Sequence, residues 1–273
     1  MALSLFPGAA SDPLTPERVQ AGLRTRCFGR RVLHRSTVGS TNDEARFQAS
    51  AGAPEGLLVL AEEQTAGRGR YDRRWEAPFG SGILASLLLR PTFLPPGQAF
   101  LLTALAALGV AEAVERETAL PVELKWPNDV LVGGRKACGI LVELEGAAGR
   151  LAWAVLGWGL NVNVDFSADP ELRQRATSLA EAAGRPFPRL PLLWACLERL
   201  ETHYEALQAG RGEEVWAGWR ARLNVLGREV EVAAPEGTIS GVALDVGLDG
   251  ALLVQRADGR AERVLAGDVT VRS

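Results

Sequence analysis

The stretch TAGRGRYDRRW, residues 65–75, places Arg68, Arg70, Arg73 and Arg74 beside Gly67 and Gly69. Glycine lets a backbone come close to a ligand and expose its N–H groups, and a guanidinium fork grips a carboxylate or phosphate through two parallel hydrogen bonds. The segment therefore has the make-up of an anion-binding loop, with a solvated arginine-rich turn as the plainer alternative. It is not a G-x-G-x-x-G turn, because Asp72 stands at the third glycine position, and no G-K-[ST] occurs to make a P-loop.

A second loaded stretch, ELKWPNDVLVGGRKACG (residues 123–139), holds Lys125 and Lys136, the only two lysines in a chain whose Lys+Arg total is 30. An ammonium is a compact point charge on a flexible stem and reaches oxyanions that a planar guanidinium would crowd. Lys125 ends a strand pattern just before Pro127, so the chain turns there and presents Asn128 and Asp129, whose oxygens suit a hard cation such as Mg2+ arriving with phosphates. Lys136 follows a Gly133-Gly134 hairpin signal; on adjacent strands the two ammonium groups can converge on one anion. Accidental proximity of two leftover lysines is the competing account.

Other catalytic constellations are weak. His34 and His203, the only histidines, read as structural or exposed, and Gly80-Ser81-Gly82 lacks the G-x-S-x-G frame. Trp158, between two glycines, reads as a packing residue, while Asn161 and Asn163 read equally as turn formers or as contacts to a base.

These residues need a scaffold. PERVQAGLR is predicted as a short helix with Thr15 as N-cap and Pro16 in its first turn. GLLVLAEEQ, SGILASLLLR, VELKW, VLV, CGILVELE and LAWAVLGWGLNVNV read as strands, and QAFLLTALAALGVAEAVERE as a long helix, apolar over most of its surface. Two helices follow, LPLLWACLERLETHYEALQA and EEVWAGWRARLN. From about Leu226 the texture changes to short, alternating, glycine-punctuated strands, with Asp249-Gly250 a tight turn, which predicts a small barrel. The division expected is an extension over 1–35, a main domain over 36–224 and the barrel over 225–273.

Composition sets outer bounds. With 273 residues, 47% hydrophobic and 23% charged, the chain is globular rather than disordered. A net charge of −3 and a pI near 5.6 make no overall case for wrapping DNA or lying on an anionic membrane. Cys27, Cys138 and Cys196 form no C-x-x-C pair and suggest neither a disulfide framework nor zinc, so a reducing cytoplasm is expected. The opening MALSLFPGAA lacks a basic leader, and Glu112 cuts the most apolar run too soon for a membrane span.

Taken together these segments resemble the biotin protein ligases. STND (Ser40 to Asp43) is similar to the family's S-T-N segment. EEQTAGRGRYDRRW is similar to its Q-x-x-G-R-G-R-x-x-R-x-W loop, KWPNDVLVGGRKACGILVE to its K-W-P-N-D … K-x-x-G-I-L-V-E signature, and GWGLNVN to its G-x-G-I-N strand. The agreement runs over residues 37 to 164 and extends to the small C-terminal module. The resemblance implies an α+β fold: a mixed β-sheet flanked by helices, of the class II aminoacyl-tRNA synthetase/biotin ligase type, followed by an SH3-like barrel. It also implies a two-step chemistry, in which biotin attacks the α-phosphate of ATP to give biotinyl-AMP and pyrophosphate, and a lysine of a biotin carboxyl carrier protein, a subunit of acetyl-CoA carboxylase, then displaces AMP.

By the same resemblance Ser40, Thr41 and Gln64 would bond the ureido head of biotin. Gly67, Arg68, Gly69 and Arg70 would close over it, with Arg68 and Arg70 facing the carboxylate and α-phosphate. Lys136 would bridge those two anions and, with Arg70, carry the catalysis; Gly139 and Leu141 would line the biotin tail and Gly157 the ring pocket. Arg70, Arg73, Trp75, Lys125, Asn128, Asp129, Lys136 and Asn161 would serve ATP and its magnesium, with Asp129 toward the metal, and Arg272 would reach pyrophosphate from the barrel. Asp72 departs from a common glycine, and Ala176 stands before Thr177-Ser178-Leu179 where some relatives carry a tryptophan that stacks on adenine. No helix-turn-helix pattern precedes the main fold, so repression at an operator is not expected. A loop of four arginines repels itself and is expected to be mobile until ligand orders it. A lipoate-type ligase would share fold and adenylation but differs in its arginine–glycine pattern; a nucleic-acid-binding regulatory module is the reading from another class. An exposed strand edge would serve a homodimer or the carrier's sheet.

Overall fold

The computed structural model of the chain describes residues 3–9, 12–147, 149–235 and 237–272, the side chains of Asp72 and Ala147 excepted, so the expectation attached to Asp72 lies outside the described residues. In chain order the elements begin with β1 (Ser4–Leu5), α1 (Pro16–Ala21), β2 (Arg31–Val38), α2 (Thr41–Ser50), β3 (Leu57–Gln64), β4 (Gly82–Leu89) and α3 (Phe100–Thr118). There follow β5 (Val122–Lys125), β6 (Asp129–Val132), β7 (Arg135–Ala147), β8 (Arg150–Asn161), β9 (Val164–Asp165), α4 (Pro170–Arg173), α5 (Leu179–Ala183), α6 (Arg189–Gln208) and α7 (Gly212–Arg220). A final set comprises β10 (Glu229–Ala234), β11 (Gly237–Val246), β12 (Leu252–Gln255), β13 (Ala261–Val264) and β14 (Asp268–Val271).

Local chemistry accounts for the punctuation. The Thr15 side chain caps α1 by accepting from the Arg18 N–H at 3.5 Å, with Pro16 in the first turn. Gly133 and Gly134 have φ of 57° and 73°, the consecutive left-handed pair that a two-residue hairpin between β6 and β7 requires. The last predicted helix ends early, at Arg220, because the next residues run along β5 instead. Leu124 N–H donates to Arg222 O and Asn224 N–H to Leu124 O, both at 2.9 Å, which closes that sheet edge.

Seven strands form one sheet in the order β2-β3-β4-β8-β7-β6-β5, parallel only between β2 and β3. Residues paired across neighbouring strands share a face, and alternate residues take the other. Leu60, Ala85, Trp158 and Ile140 are paired in that order and, with Leu58, Leu87 and Leu156, pack against α3 and α6. Helix α3 is apolar nearly all round because the sheet covers one side and α6 and α7 the other. On the opposite face Leu57, Val59, Leu88, Trp153 and Val155 pack against Ala45 and Ala49 of α2. That short helix, which strand and helix periodicity did not announce, covers only part of the face. The uncovered part, over β7 and β8, is where the cavity lies.

Arg189, with a side chain only 2% exposed, bolts the scaffold behind the cavity. It donates to Glu62 Oε2 at 2.7 Å, Gly82 O at 3.0 Å, Asp12 Oδ1 at 2.8 Å and Asp12 O at 2.9 Å. Glu62 Oε1 also accepts from Leu14 N–H at 2.9 Å and lies 3.2 Å from His34 Nε2. Burial works against the Glu62 charge, but Arg189, the Leu14 N–H and His34 together hold its carboxyl below the ordinary range.

The C-terminal strands form a separate antiparallel sheet, β13-β12-β11-β10-β14, in which the two outer strands do not pair, so the small module is not closed by hydrogen bonds among the described residues. Its core is continuous with that of the main sheet. The join is specific: the fully buried Trp126 donates from Nε1 to Gly250 O at 2.9 Å, and Phe100, which leaves no room for a Cβ at Gly250, meets Trp219 edge-on at 5.1 Å.

Candidate active site

The cavity, about 380 Å3, has a floor of backbone. Gly139 pairs with Gly159 and Leu141 with Gly157 across β7 and β8. A Cβ at Gly157 would collide with the Asn42 amide, and one at Gly159 with the Trp75 indole, so glycine is what allows both side chains to lie flat on the sheet.

One end of the cavity is a hydrogen-bonded cluster at the start of α2. Gln64 Oε1 accepts from the Thr41 N–H at 2.7 Å and the Thr41 hydroxyl at 3.0 Å. The buried Ser86 hydroxyl donates to Asn42 Oδ1 at 2.6 Å and lies 2.8 Å from Thr41 Oγ1. Asn42 Nδ2 then donates to Glu143 Oε2 at 2.8 Å and Leu141 O at 3.3 Å. Ser40, Thr41 and Gln64 line the cavity as expected; Asn42, Ser86 and Glu143, which hold them, were not among the expected site residues. The S-T-N and G-I-L-V-E motifs were the available signals.

The arginine loop folds back across the mouth. Trp75 N–H donates to Gly67 O at 2.9 Å and Gly69 N–H to Arg73 O at 2.7 Å, with Tyr71 at φ 56° at the tip. Among the described residues two of its four arginines, Arg68 and Arg73, have carboxylate partners, which offsets part of the self-repulsion expected of the loop. Arg68 Nη2 contacts Asp43 Oδ1 and Glu143 Oε2, each at 2.7 Å, and Arg73 pairs with Asp268 of β14. Among the described residues Arg70 has only the Tyr71 hydroxyl at 3.0 Å and the Tyr71 ring, its guanidinium carbon 4.9 Å from the centroid. Arg68 thus lines the cavity with its guanidinium engaged by carboxylates, whereas Arg70 remains available to an incoming anion. Gly67 is buried beneath the Trp75 backbone and does not line the cavity.

Farther along the floor Lys136 Nζ is 2.6 Å from Asp129 Oδ1 and 5.6 Å from the centre of the Trp75 ring, with its side chain 34% exposed. Its backbone is zipped to the following loop: Lys136 N–H donates to Arg175 O at 2.9 Å, and Thr177 N–H to Lys136 O at 3.0 Å. Asn128 Nδ2 donates to Ile140 O at 2.5 Å, which fixes that turn to β7. Asn161 Nδ2 donates to Thr177 O at 3.2 Å while its Oδ1 is buried with no partner among the described residues, an acceptor lacking a donor. Phe166, Leu172 and Ala176 supply an apolar wall beside it, the first two unanticipated.

Besides Gly67, two expected residues lie elsewhere. Lys125 is opposite Asp129 in the β5–β6 register, on the same face but one strand beyond Asp129, and is absent from the cavity lining; the expected meeting of two ammonium groups reduces to Lys136 alone. Arg272 is held on the C-terminal sheet by Glu231 and Ser240, and Asp268 is the residue of that module that lines the cavity. Among the described residues no group of three or more His, Cys, Asp or Glu side chains is arranged to cage a metal. The arrangement is therefore a polar recess and an apolar recess on one floor, with the Lys136 ammonium between them and the Arg70 guanidinium beside it. It suits joining two anionic molecules end to end.

Comparison with known proteins gives the same architecture. Residues 33–161 match the Biotin/lipoate A/B protein ligase family and residues 225–272 the Biotin protein ligase C terminal domain. The Biotin--[acetyl-CoA-carboxylase] ligase of Mycobacterium tuberculosis is 34% identical, over 94% of this chain and 97% of its own length. The Bifunctional ligase/repressor BirA of Bacillus spizizenii is 33% identical, over 94% of this chain and 78% of its own. Among solved structures, biotin protein ligase from Aquifex aeolicus in complex with biotin and ATP superposes with a TM-score of 0.75 at 29% identity, covering 89% of this chain and 99% of that one.

Proposed function

The chain belongs to the biotin protein ligase family, and from that premise we propose that it activates biotin with ATP and passes the biotinyl group to a lysine of a carboxyl carrier protein. In the first step a biotin carboxylate oxygen forms a bond to the α-phosphorus and the bond to pyrophosphate breaks. In the second the carrier's amine attacks the acyl carbon, AMP leaves, and the amine loses a proton. The observation that carries this reading is the position of the Lys136 ammonium on the shared floor, between the Ser40–Thr41–Gln64 cluster and the Asn161 wall.

Two anions must touch before reacting, and fixed cations at their junction lower the repulsion and stabilise charge building on the phosphate. Lys136 and Arg70 supply those cations. The ureido head of biotin would occupy the polar recess, with Gly139, Leu141 and Gly157 along its ring and tail, and the nucleotide the other end, with Arg73, Trp75, Asn128 and Asn161. A magnesium ion fits as an arrival with the phosphates rather than a resident, since Asp129 is a single carboxylate already paired with Lys136. Bound there, it would neutralise phosphate charge. The free edge of β2, marked by Arg31 and Arg35, is the place for a second copy or the carrier's sheet to pair, and the three free cysteines suit a reducing cytoplasm.

The deciding experiment is isotope exchange between pyrophosphate and ATP. Exchange that depends on biotin and not on lipoate supports the reading; exchange with lipoate alone, or none with either, overturns it. Transfer is then read as the mass gain of one biotinyl group on a carrier lysine. The unpartnered Asn161 Oδ1 leads to a narrower expectation. Accepting from the exocyclic amine of adenine would give it the donor it lacks, so Asn161→Ala is expected to raise the KM for ATP by about tenfold and to narrow the preference for ATP over GTP.

A further inference from the structure

Glu143 has no place in the substrate contacts proposed above, yet it connects both segments at the vitamin end of the cavity. It shares a face of β7 with Gly139 and Leu141, and its side chain is only 20% exposed. Oε2 accepts from Asn42 Nδ2 at 2.8 Å and from Arg68 Nη2 at 2.7 Å, and Oε1 is 3.4 Å from Arg46 Nη1. Asp43 completes the group, 2.7 Å from Arg68 and 3.6 Å from Arg46. Two acids and two arginines make a neutral cluster bridging β7, α2 and the arginine loop.

We propose that Glu143 is a positioning residue for biotin activation: through Asn42 it sets the Ser40–Asn42 segment, and through Arg68 it latches the arginine loop over the same recess, without touching substrate. The assignment rests on the biotin ligase reading. It gives Arg68 a role distinct from Arg70: Arg68 holds the loop in place and Arg70 meets the anion. Because Asn42 and Arg68 share one oxygen of Glu143, the recess is framed and covered by a single group, so a disturbance of either segment reaches the other. The latch is also reversible by design of its surroundings. Partly exposed ion pairs each bias an equilibrium by no more than about fivefold and weaken with salt, which holds a flap yet lets substrates pass.

The test begins with trypsin on the ligand-free chain, since the loop's own arginines are its cleavage sites. Glu143→Ala is expected to raise cleavage between residues 68 and 74 by about fivefold at an unchanged melting midpoint. Glu143→Gln keeps an acceptor for Asn42 while removing the charge that Arg68 needs, and is expected to raise it about threefold. In the exchange assay Glu143→Ala is expected to raise the KM for biotin by a similar factor and leave the KM for ATP alone. Unchanged loop cleavage with an unchanged biotin KM would overturn the role, as would a lowered melting midpoint in both variants with cleavage spread along the chain, which marks a structural residue. Absence of biotin-dependent exchange in the wild type, with the loop still opening in Glu143→Ala, would overturn the reaction and with it this role; normal wild-type exchange beside an unaffected variant would overturn the role alone.

Discussion

Replacing Lys136 with alanine is expected to lower the rate of biotinyl-adenylate formation by about two to three orders of magnitude, since losing one preorganised contact to developing charge typically adds ~2.7–4 kcal/mol to the barrier. The loss is expected in kcat, measured by single-turnover adenylate formation, because in the proposed role the ammonium acts where charge builds on the reacting phosphate rather than where biotin or adenine is recognised. Folding should be untouched: the side chain is one-third exposed and the pair with Asp129 is its only ionic contact among the described residues. Lys136→Arg is a sharper probe. It keeps the charge, but its planar fork must fit beside Trp75 and over Gly139, where a Cβ would already come within 3.1 Å of the lysine Cε and Nζ and of the Trp75 ring, so little of the lost rate should return. A rate within a few-fold of wild type for Lys136→Ala would remove the ammonium from the chemistry.

The second large effect is on stability. Arg189→Met is expected to destabilise the fold by about 3–5 kcal/mol at neutral pH, the usual result of leaving one member of a buried ion pair uncompensated. Glu62 is 4% exposed and would keep its burial while losing the guanidinium that offsets it. In the wild type the folded carboxyl is held below its unfolded value, so its contribution is present above the ordinary carboxylate range and is lost as pH falls through the lowered one. In the variant the sign reverses: burial raises the folded value, and the penalty shrinks toward acid pH as Glu62 takes up a proton. Urea unfolding of both proteins at several pH values measures this; a penalty that is flat with pH would show that lost packing, not the stranded charge, is responsible.

Much of this was legible in the residues themselves. Alternation and length located the central strands, the Gly133-Gly134 pair announced its turn, and the near-continuous apolar character of α3 matched a helix covered on both sides. What stayed hidden depends on register. Lys125 and Lys136 look equivalent along the chain, but β5 is the outermost strand, so one amine reaches the cavity and the other stops beside it. Arg68 reads as a free cation until its partners arrive from a helix start at Asp43 and from β7 at Glu143, positions no local pattern connects. Ser86 is a small polar residue in an apolar strand; only the close approach of α2 over Gly157 gives its hydroxyl a task. Arg272 stands near the cavity in the chain's plan, yet a neighbouring carboxylate on its own sheet claims it.

The indole of Trp126 and the side chains of Asn128 and Asp129 belong to one short turn but are committed in different directions, the former to the C-terminal sheet and the latter to the cavity. That turn works as a fulcrum. A tilt of the small module is carried through that turn toward Asn128 and Asp129, the groups proposed to serve the nucleotide. Chimeras that exchange this module between relatives should accordingly fold well and still turn over slowly, unless the residues facing Trp126 travel with it.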